Sequence, residues 1–186
     1  LLLATTLFTN AQERNITIAI NGGNIEGTFN QPEKSKKLVI IIAGSGPTDR
    51  NGNNPLGVKC NSYQLIADTL NKANIASIRY DKRGIAKSKL LVLDESKMTF
   101  EDFISDAVTI YNFAKDSLRY KKIYFAGHSE GSLIGMVAAQ SVHAAGYISI
   151  SGAAQSIDVI INEQVKTQPE KIREEVKTIM EQLHQK

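Results

Sequence analysis

The sequence predicts an α/β domain with a mostly parallel sheet, an N-terminal antiparallel hairpin and helices on both faces. Strand-like and helix-like segments alternate from residue 38 to residue 150, and this alternation requires parallel strands joined by right-handed crossovers. Residues 38–43 are continuously apolar, as is typical of a strand buried on both faces of a sheet. A chain of 186 residues, 42% of them hydrophobic, is long enough to bury a substantial core.

Local signals in the sequence predict each element in turn. Residues 15–20 and 25–29 alternate in polarity and flank Asn-Gly-Gly-Asn, which is a strong signal for a hairpin. Residues 99–102 have a capping-box pattern and are expected to start a helix. The other predicted elements are a helix over 62–73, a strand over 75–80, a strand over 122–126, a helix to about residue 140 and a strand over 147–150.

Two helices are predicted after the last strand, over residues 156–165 and from Pro169 to about residue 183. Proline suits the first turn of a helix, and the second segment is apolar along one face only. We expect this pair to start a lid over the carboxyl edge of the sheet. A crossover segment of the sheet is the alternative.

The first eleven residues resemble the second half of a secretory signal peptide, because an apolar run ends in small and polar residues. We expect residues 12–155 to form the partial sheet domain and residues 156–186 the helical lid or crossover segment. A signal peptide implies export, to the periplasm or the extracellular space. A buried first strand is the alternative interpretation of residues 1–11.

The charged residues form no extended block. The formal net charge is +3, and lysine and arginine are scattered along the chain, so we expect no nucleic-acid partner. The lysines at positions 34, 36 and 37 are interpreted as a solvated turn. No segment is apolar for long enough to predict a membrane span. The single cysteine, Cys60, has no intramolecular partner for a disulfide.

Residues 127–131, Gly-His-Ser-Glu-Gly, follow a predicted strand directly and open a predicted helix. A G-x-S-x-G motif at such a junction is typical of a nucleophile elbow, and Ser129 is therefore the candidate nucleophile. Gly127 and Gly131 are expected where the strand and helix backbones approach each other. His128 is expected to point away from the serine hydroxyl. A chance match to this short motif is the alternative.

A second glycine-rich loop, residues 43–50, follows the buried strand. Gly44 and Gly46 permit a turn in which the Ser45 N–H points at an oxygen that develops negative charge beside Ser129. A phosphate-binding loop is disfavoured, because the segment lacks Gly-Lys-Ser/Thr and the third glycine of a dinucleotide fingerprint. A plain turn is the alternative.

The third loop, residues 80–88, ends another strand and carries several charges in a tight turn. This pattern favours a structural network over catalysis. We expect Asp49 or Arg50 of the second loop to form an ion pair with Asp81 or Arg83.

Together the three loops resemble those of an α/β-hydrolase, in the bacterial esterase and serine-aminopeptidase-like branch. The resemblance covers about residues 16–154 and implies an α/β-hydrolase-type sheet. It also implies that Ser129 is the acyl-accepting nucleophile and that the N–H groups of Ser45 and Glu130 form the oxyanion hole. The implied substrate is a small-molecule ester or peptide-like compound, and no metal or organic cofactor is implied.

The resemblance leaves the other catalytic groups unassigned. In this superfamily the acid and the histidine follow the nucleophile on later loops. After the last predicted strand come only Asp158, Glu163 and the charged C-terminal helix. His143 precedes that strand and His184 lies two residues from the end, so neither histidine occupies the expected place. Asp158 as the acid with His184 as the base is disfavoured. We therefore expect a chain that is truncated at its C-terminal end. An amide hydrolase of the same fold, and a non-catalytic protein or inactive fragment, stay open as alternatives.

Overall fold

A computed structural model describes residues 12–91 and 94–184. The predicted signal-peptide remnant, residues 1–11, lies outside the described residues. The chain divides into two compact units, with the boundary between Gly152 and Ala153. The first unit contains the sheet and the three motif loops, and the second contains two helices.

The first unit is built on one six-stranded sheet with the order β1-β2-β4-β3-β5-β6. The β1–β2 hairpin is antiparallel, β2 is antiparallel to β4, and the ladders among β3, β4, β5 and β6 are parallel. The predicted fold class, a mostly parallel sheet with an N-terminal antiparallel hairpin, is confirmed. The strands are β1 (Gln12–Ile20), β2 (Gly23–Gln31), β3 (Lys37–Ile42), β4 (Ala76–Tyr80), β5 (Lys122–His128) and β6 (Gly146–Ile150).

The helices follow the predicted alternation with the strands. Thr99 caps the second helix as a capping box: its hydroxyl accepts from the Asp102 N–H at 3.3 Å, and its own N–H donates to the Asp102 carboxylate at 2.9 Å. The helices of the first unit are α1 (Ser62–Lys72), α2 (Phe100–Asn112) and α3 (Glu130–Ser141), with short 3₁₀ segments at Ala86–Leu91 and Glu95–Lys97 and a π-helical turn at Phe113–Ser117.

Helices cover both faces of the sheet, as predicted. On one face, Ile110 of α2 and Ile134 of α3 join a fully buried cluster with Ile40, Ile78 and Phe125. On the other face, the buried side chains of α1 pack against alternate residues of β3, a cluster formed by Tyr63, Ala67, Val39 and Ile41. Burial on both faces explains why β3 is apolar at almost every position.

The second unit consists of α4 (Ile157–Gln164) and α5 (Glu170–His184). Several of its large apolar side chains are exposed to solvent, namely Ile157, Val159, Ile172, Ile179 and Leu183. The role of this unit as lid or crossover segment stays a prediction. Among the described residues, every helix is too short or too polar to cross a membrane.

Candidate active site

Ser129 lies on the sharp turn between β5, which ends at His128, and α3, which begins at Glu130. Its backbone angles are φ 52° and ψ −121°, a conformation that residues with a side chain rarely adopt. The turn is anchored to the end of β6, because the Ser129 N–H donates to the Ile150 carbonyl at 2.9 Å. The carbonyl of Ser129 accepts from the Ser132 N–H, also at 2.9 Å. These contacts hold a strained serine at the carboxyl edge of the sheet.

The two glycines of the elbow lie where backbones are in close contact. A Cβ atom on Gly127 would come within 2.0 Å of the Gly131 carbonyl oxygen. A Cβ atom on Gly131 would come within 2.5 Å of the Ile42 carbonyl oxygen. Both distances are far below van der Waals contact. Because these two positions are glycine, α3 can lie directly over the ends of β3 and β5.

The second glycine-rich loop lies against the elbow. A Cβ atom on Gly44 would be 3.3 Å from the Ser129 Cβ, and Gly46 has a φ of 75°. Within the described part of the first unit, no backbone carbonyl accepts a hydrogen bond from the Ser45 N–H. The Glu130 N–H opens α3, and the first N–H groups of a helix have no intrahelical acceptor. The structure thus brings the loop that carries Ser45 next to Ser129 and Glu130, and their oxyanion-hole role stays a prediction.

Tyr63 of α1 connects this loop to the elbow. Its hydroxyl accepts from the Gly44 N–H at 3.1 Å and lies 2.9 Å from the His128 Nδ1, so it can accept from one and donate to the other at once. The side chain is buried, and this burial raises the pKa of the phenol. His128 is therefore held by Tyr63 through its Nδ1. In the sequence, Tyr63 is marked only as an apolar-face residue of the helix predicted over 62–73, and no local signal indicates its contacts at the elbow.

The side chain of Glu130 forms an ion pair with the third loop. The Lys82 ammonium lies 2.6 Å from the Glu130 carboxylate and 5.2 Å from the centre of the Phe103 ring. Lys82 is only 4% exposed, and a buried cation requires such a partner. This pair joins the loop after β4 to the first residue of α3. It involves only the side chain of Glu130, so the backbone N–H of Glu130 stays available for other contacts.

The predicted ion pair between the second and third loops is confirmed. The Arg50 guanidinium donates to one Asp81 oxygen at 3.1 and 2.8 Å, and the Arg50 backbone N–H donates to the other at 2.8 Å. Both residues are buried. Arg83 forms a second two-pronged pair with Asp106, at 2.8 and 2.6 Å. Burial raises the pKa of Asp106, and the hydrogen bond from Arg83 opposes that rise.

Of the other candidate acids and bases, only His143 belongs to the first unit, and it does not lie near Ser129. His143 lies in the exposed turn between α3 and β6, at the opposite edge of the sheet. Asp158, Glu163 and His184 belong to the second unit. Within the described part of the first unit, the structure shows no hydrogen bond between the Ser129 hydroxyl and a side chain. The general base and its carboxylate stay unassigned.

Comparison with solved structures shows the same fold in several hydrolases. The chain is similar to an α/β serine hydrolase without a lid from Xanthomonas campestris, with a TM-score of 0.61, 17% identity, and coverage of 77% of this chain and 62% of that one. It is also similar to Est1E from Butyrivibrio proteoclasticus in complex with ferulic acid, with a TM-score of 0.60, 24% identity, and coverage of 83% and 57%.

A third similar structure is the proline iminopeptidase of Mycobacterium smegmatis, with a TM-score of 0.59, 17% identity, and coverage of 81% of this chain and 47% of that one. The chain therefore spans between about half and three fifths of the length of these structures. A search of curated protein sequences finds no match.

A family model described as serine aminopeptidase, S33 matches residues 56–185. This match includes the elbow, the third loop and most of the parallel sheet. Together with the fold, it shows that the chain belongs to the S33 serine aminopeptidase family of α/β-hydrolases.

Proposed function

We propose that this protein is a serine hydrolase that cleaves carboxylic esters through an acyl-serine intermediate. The observation that carries the proposal is the strained backbone of Ser129 on its elbow, with the loop containing Gly44 in contact with it. Strain of this kind is concentrated at functional sites. A serine presented on a strand-to-helix turn is the arrangement in which α/β-hydrolases expose their nucleophile.

In the proposed reaction, the Ser129 oxygen attacks the ester carbonyl carbon while a general base removes the hydroxyl proton. The carbonyl oxygen becomes negatively charged and accepts hydrogen bonds from the N–H groups of Ser45 and Glu130. The C–O bond to the alcohol then breaks, and the alcohol leaves with the proton that the base returns. Water attacks the acyl-serine in the same way and releases the carboxylic acid. The base is a histidine by analogy with the family.

Amide cleavage is the second candidate function, because the matching family model is described as serine aminopeptidase. Acyl transfer to serine serves both reactions, so the elbow does not discriminate between them. Parallel assays with nitrophenyl esters and aminoacyl anilides measure the preference. A higher kcat/KM for the anilides would replace the ester proposal by the peptidase one.

Replacement of Ser129 by alanine tests the catalytic role. We expect Ser129→Ala to lower kcat for a nitrophenyl ester by at least about 10⁴-fold, because the nucleophile is removed. A fluorophosphonate probe should label the wild-type protein and fail to label the variant. Ser141→Ala, at the other end of the same helix, is the matched control and should keep both properties. Equal labelling of the two variants, or no labelling of the full-length wild-type protein, would contradict the proposal.

Replacement of Tyr63 by phenylalanine tests how the elbow and the glycine-rich loop are held together. We expect Tyr63→Phe to lower kcat by about tenfold with little change in KM, which corresponds to about 1.4 kcal/mol of transition-state stabilisation. The cause is that the Gly44 N–H and the His128 ring lose their common partner. Tyr111→Phe is the control, because Tyr111 is buried on the other face of the sheet. A similar loss of kcat in both variants would show that Tyr63 contributes only to packing.

A further inference from the structure

The amino ends of the parallel strands carry a concentration of positive charge, at the edge of the sheet opposite Ser129. Lys37 opens β3 and Lys122 opens β5, and the other cations come from the turns that precede these strands and from the end of the π-helical turn. We call the set the basic edge, which comprises Lys36, Lys37, Lys115, Arg119, Lys121 and Lys122.

Two open cavities place most of these cations around shared walls. The first has a volume of about 410 Å³ and is lined by Lys36, Arg119, Lys121 and Lys122, together with Tyr120 and other residues. The second has a volume of about 390 Å³, shares Arg119, Tyr120 and Lys121 with the first, and adds Lys115. The cations therefore converge on two adjoining concave sites.

Two lysines of the basic edge are direct neighbours in the sheet. Lys37 and Lys122 are direct partners in the β3–β5 ladder, so two exposed ammonium groups leave neighbouring strands at the same register position. Like charges in this arrangement destabilise a sheet.

The local charge is larger than that of the whole chain. Among the described residues that line the two cavities, Asp116 is the only carboxylate. The six cations of the basic edge and Asp116 together have a formal charge of +5, against +3 for the entire sequence. The formal charges of Glu33 and Lys34, in the turn before β3, sum to zero and leave this value unchanged. A solvated turn at positions 34, 36 and 37 accounts for only part of the cluster.

We propose that the basic edge is a binding site for a small anion that carries two or more phosphate groups. Lysine ammonium groups bind phosphate as point charges, and the Arg119 guanidinium can donate two parallel hydrogen bonds to it. Arg119 and Lys121 line both cavities, so a ligand with several charged groups can contact both cavities at once. The site lies at the edge opposite Ser129 and is independent of the proposed hydrolase activity.

Calorimetric titration of the full chain with inorganic tripolyphosphate tests the proposal at about 150 mM salt, where exposed charges are screened beyond roughly 8 Å. We expect saturable binding, weakened at least about tenfold in the Arg119→Gln, Lys121→Gln double variant, which corresponds to about 1.4 kcal/mol. The control is the double variant Lys72→Gln, Lys171→Gln, which removes the same charge from α1 and α5. It should retain the wild-type affinity.

Thermal melting supplies a readout that does not depend on binding heats. Tripolyphosphate should raise the Tm of the wild-type protein and of the control, and not that of the Arg119, Lys121 variant. Without the anion, Lys122→Gln should raise the Tm, because it removes the repulsion with Lys37.

Equal loss of binding in the control variant, or no binding at millimolar tripolyphosphate, would overturn the proposal. Binding to phosphatidylglycerol vesicles without binding to tripolyphosphate would also overturn it and assign the edge to a lipid surface.

Discussion

Alanine at either glycine of the elbow is expected to abolish ester hydrolysis and to destabilise the first unit by about 3 kcal/mol or more. A Cβ atom on Gly127 would lie 2.0 Å from the Gly131 oxygen, and one on Gly131 would lie 2.5 and 2.6 Å from the Ile42 and Ala43 oxygens. All these neighbours are backbone atoms of the sheet and helix, so relief requires α3 to move off the strand ends. Denaturant unfolding measures the stability, and nitrophenyl ester hydrolysis measures the activity.

The matched control is Gly135→Ala, one turn further along α3. Its nearest neighbours are the ends of side chains, with Ile42 Cδ1 at 3.3 Å and Tyr147 at 3.4 Å, and these can shift at small cost. Alanine also favours the helical state over glycine by about 1 kcal/mol. We therefore expect a near-neutral change. Wild-type stability and activity in Gly131→Ala would show that the close approach of α3 to β3 is not needed.

Asp81→Ala is expected to destabilise the protein by about 3–5 kcal/mol, the range found when one partner of a buried ion pair is removed. The substitution leaves the Arg50 guanidinium buried with only a 3.4 Å contact to the Thr28 hydroxyl, and it removes the acceptor of the Arg50 backbone N–H. Because this pair joins the loops after β3 and β4, hydrolysis should fall as well. Urea unfolding at neutral pH measures the loss of stability.

An exposed ion pair provides the comparison for Asp81. The charged groups of Lys97 and Asp94 are 3.5 Å apart, and the side chains are 83% and 48% exposed. Lys97→Ala should therefore lower the free energy of unfolding by less than about 1 kcal/mol. Replacement of both Arg50 and Asp81 by leucine should cost less than the sum of the single changes, because neither charge is then left buried alone. If Asp81→Ala costs no more than Lys97→Ala, the buried pair is not a stabilising link between the loops.

The elements that are predictable from the sequence are those with strong local signals. The Asn-Gly-Gly-Asn turn, the capping box at Thr99 and the apolar run of β3 each depend on residues within a few positions of one another. The elbow is of the same kind, because a strand, a short motif and a helix are contiguous in the chain. These elements all form where they were predicted.

The contacts around the elbow carried no comparable signal. Tyr63 is separated by 65 residues from His128, and Lys82 by 48 residues from Glu130. The contacts of Tyr63 and Lys82 depend on which strands pair and on how far each helix lies from the sheet. The placement of β4 between β2 and β3, with an antiparallel and a parallel neighbour, is likewise a property of the whole sheet.

The alternation of strands and helices, the hairpin and the serine-bearing turn follow from local sequence, because backbone preferences and apolar periodicity act over short stretches of chain. Which side chains support that serine depends on contacts that form only in the folded chain. The Tyr63 hydroxyl and the Lys82–Glu130 pair both bring together residues that are distant in sequence. The convergence of six cations at the other edge was decided in the same way, since parallel strands gather their amino ends on one side of a sheet.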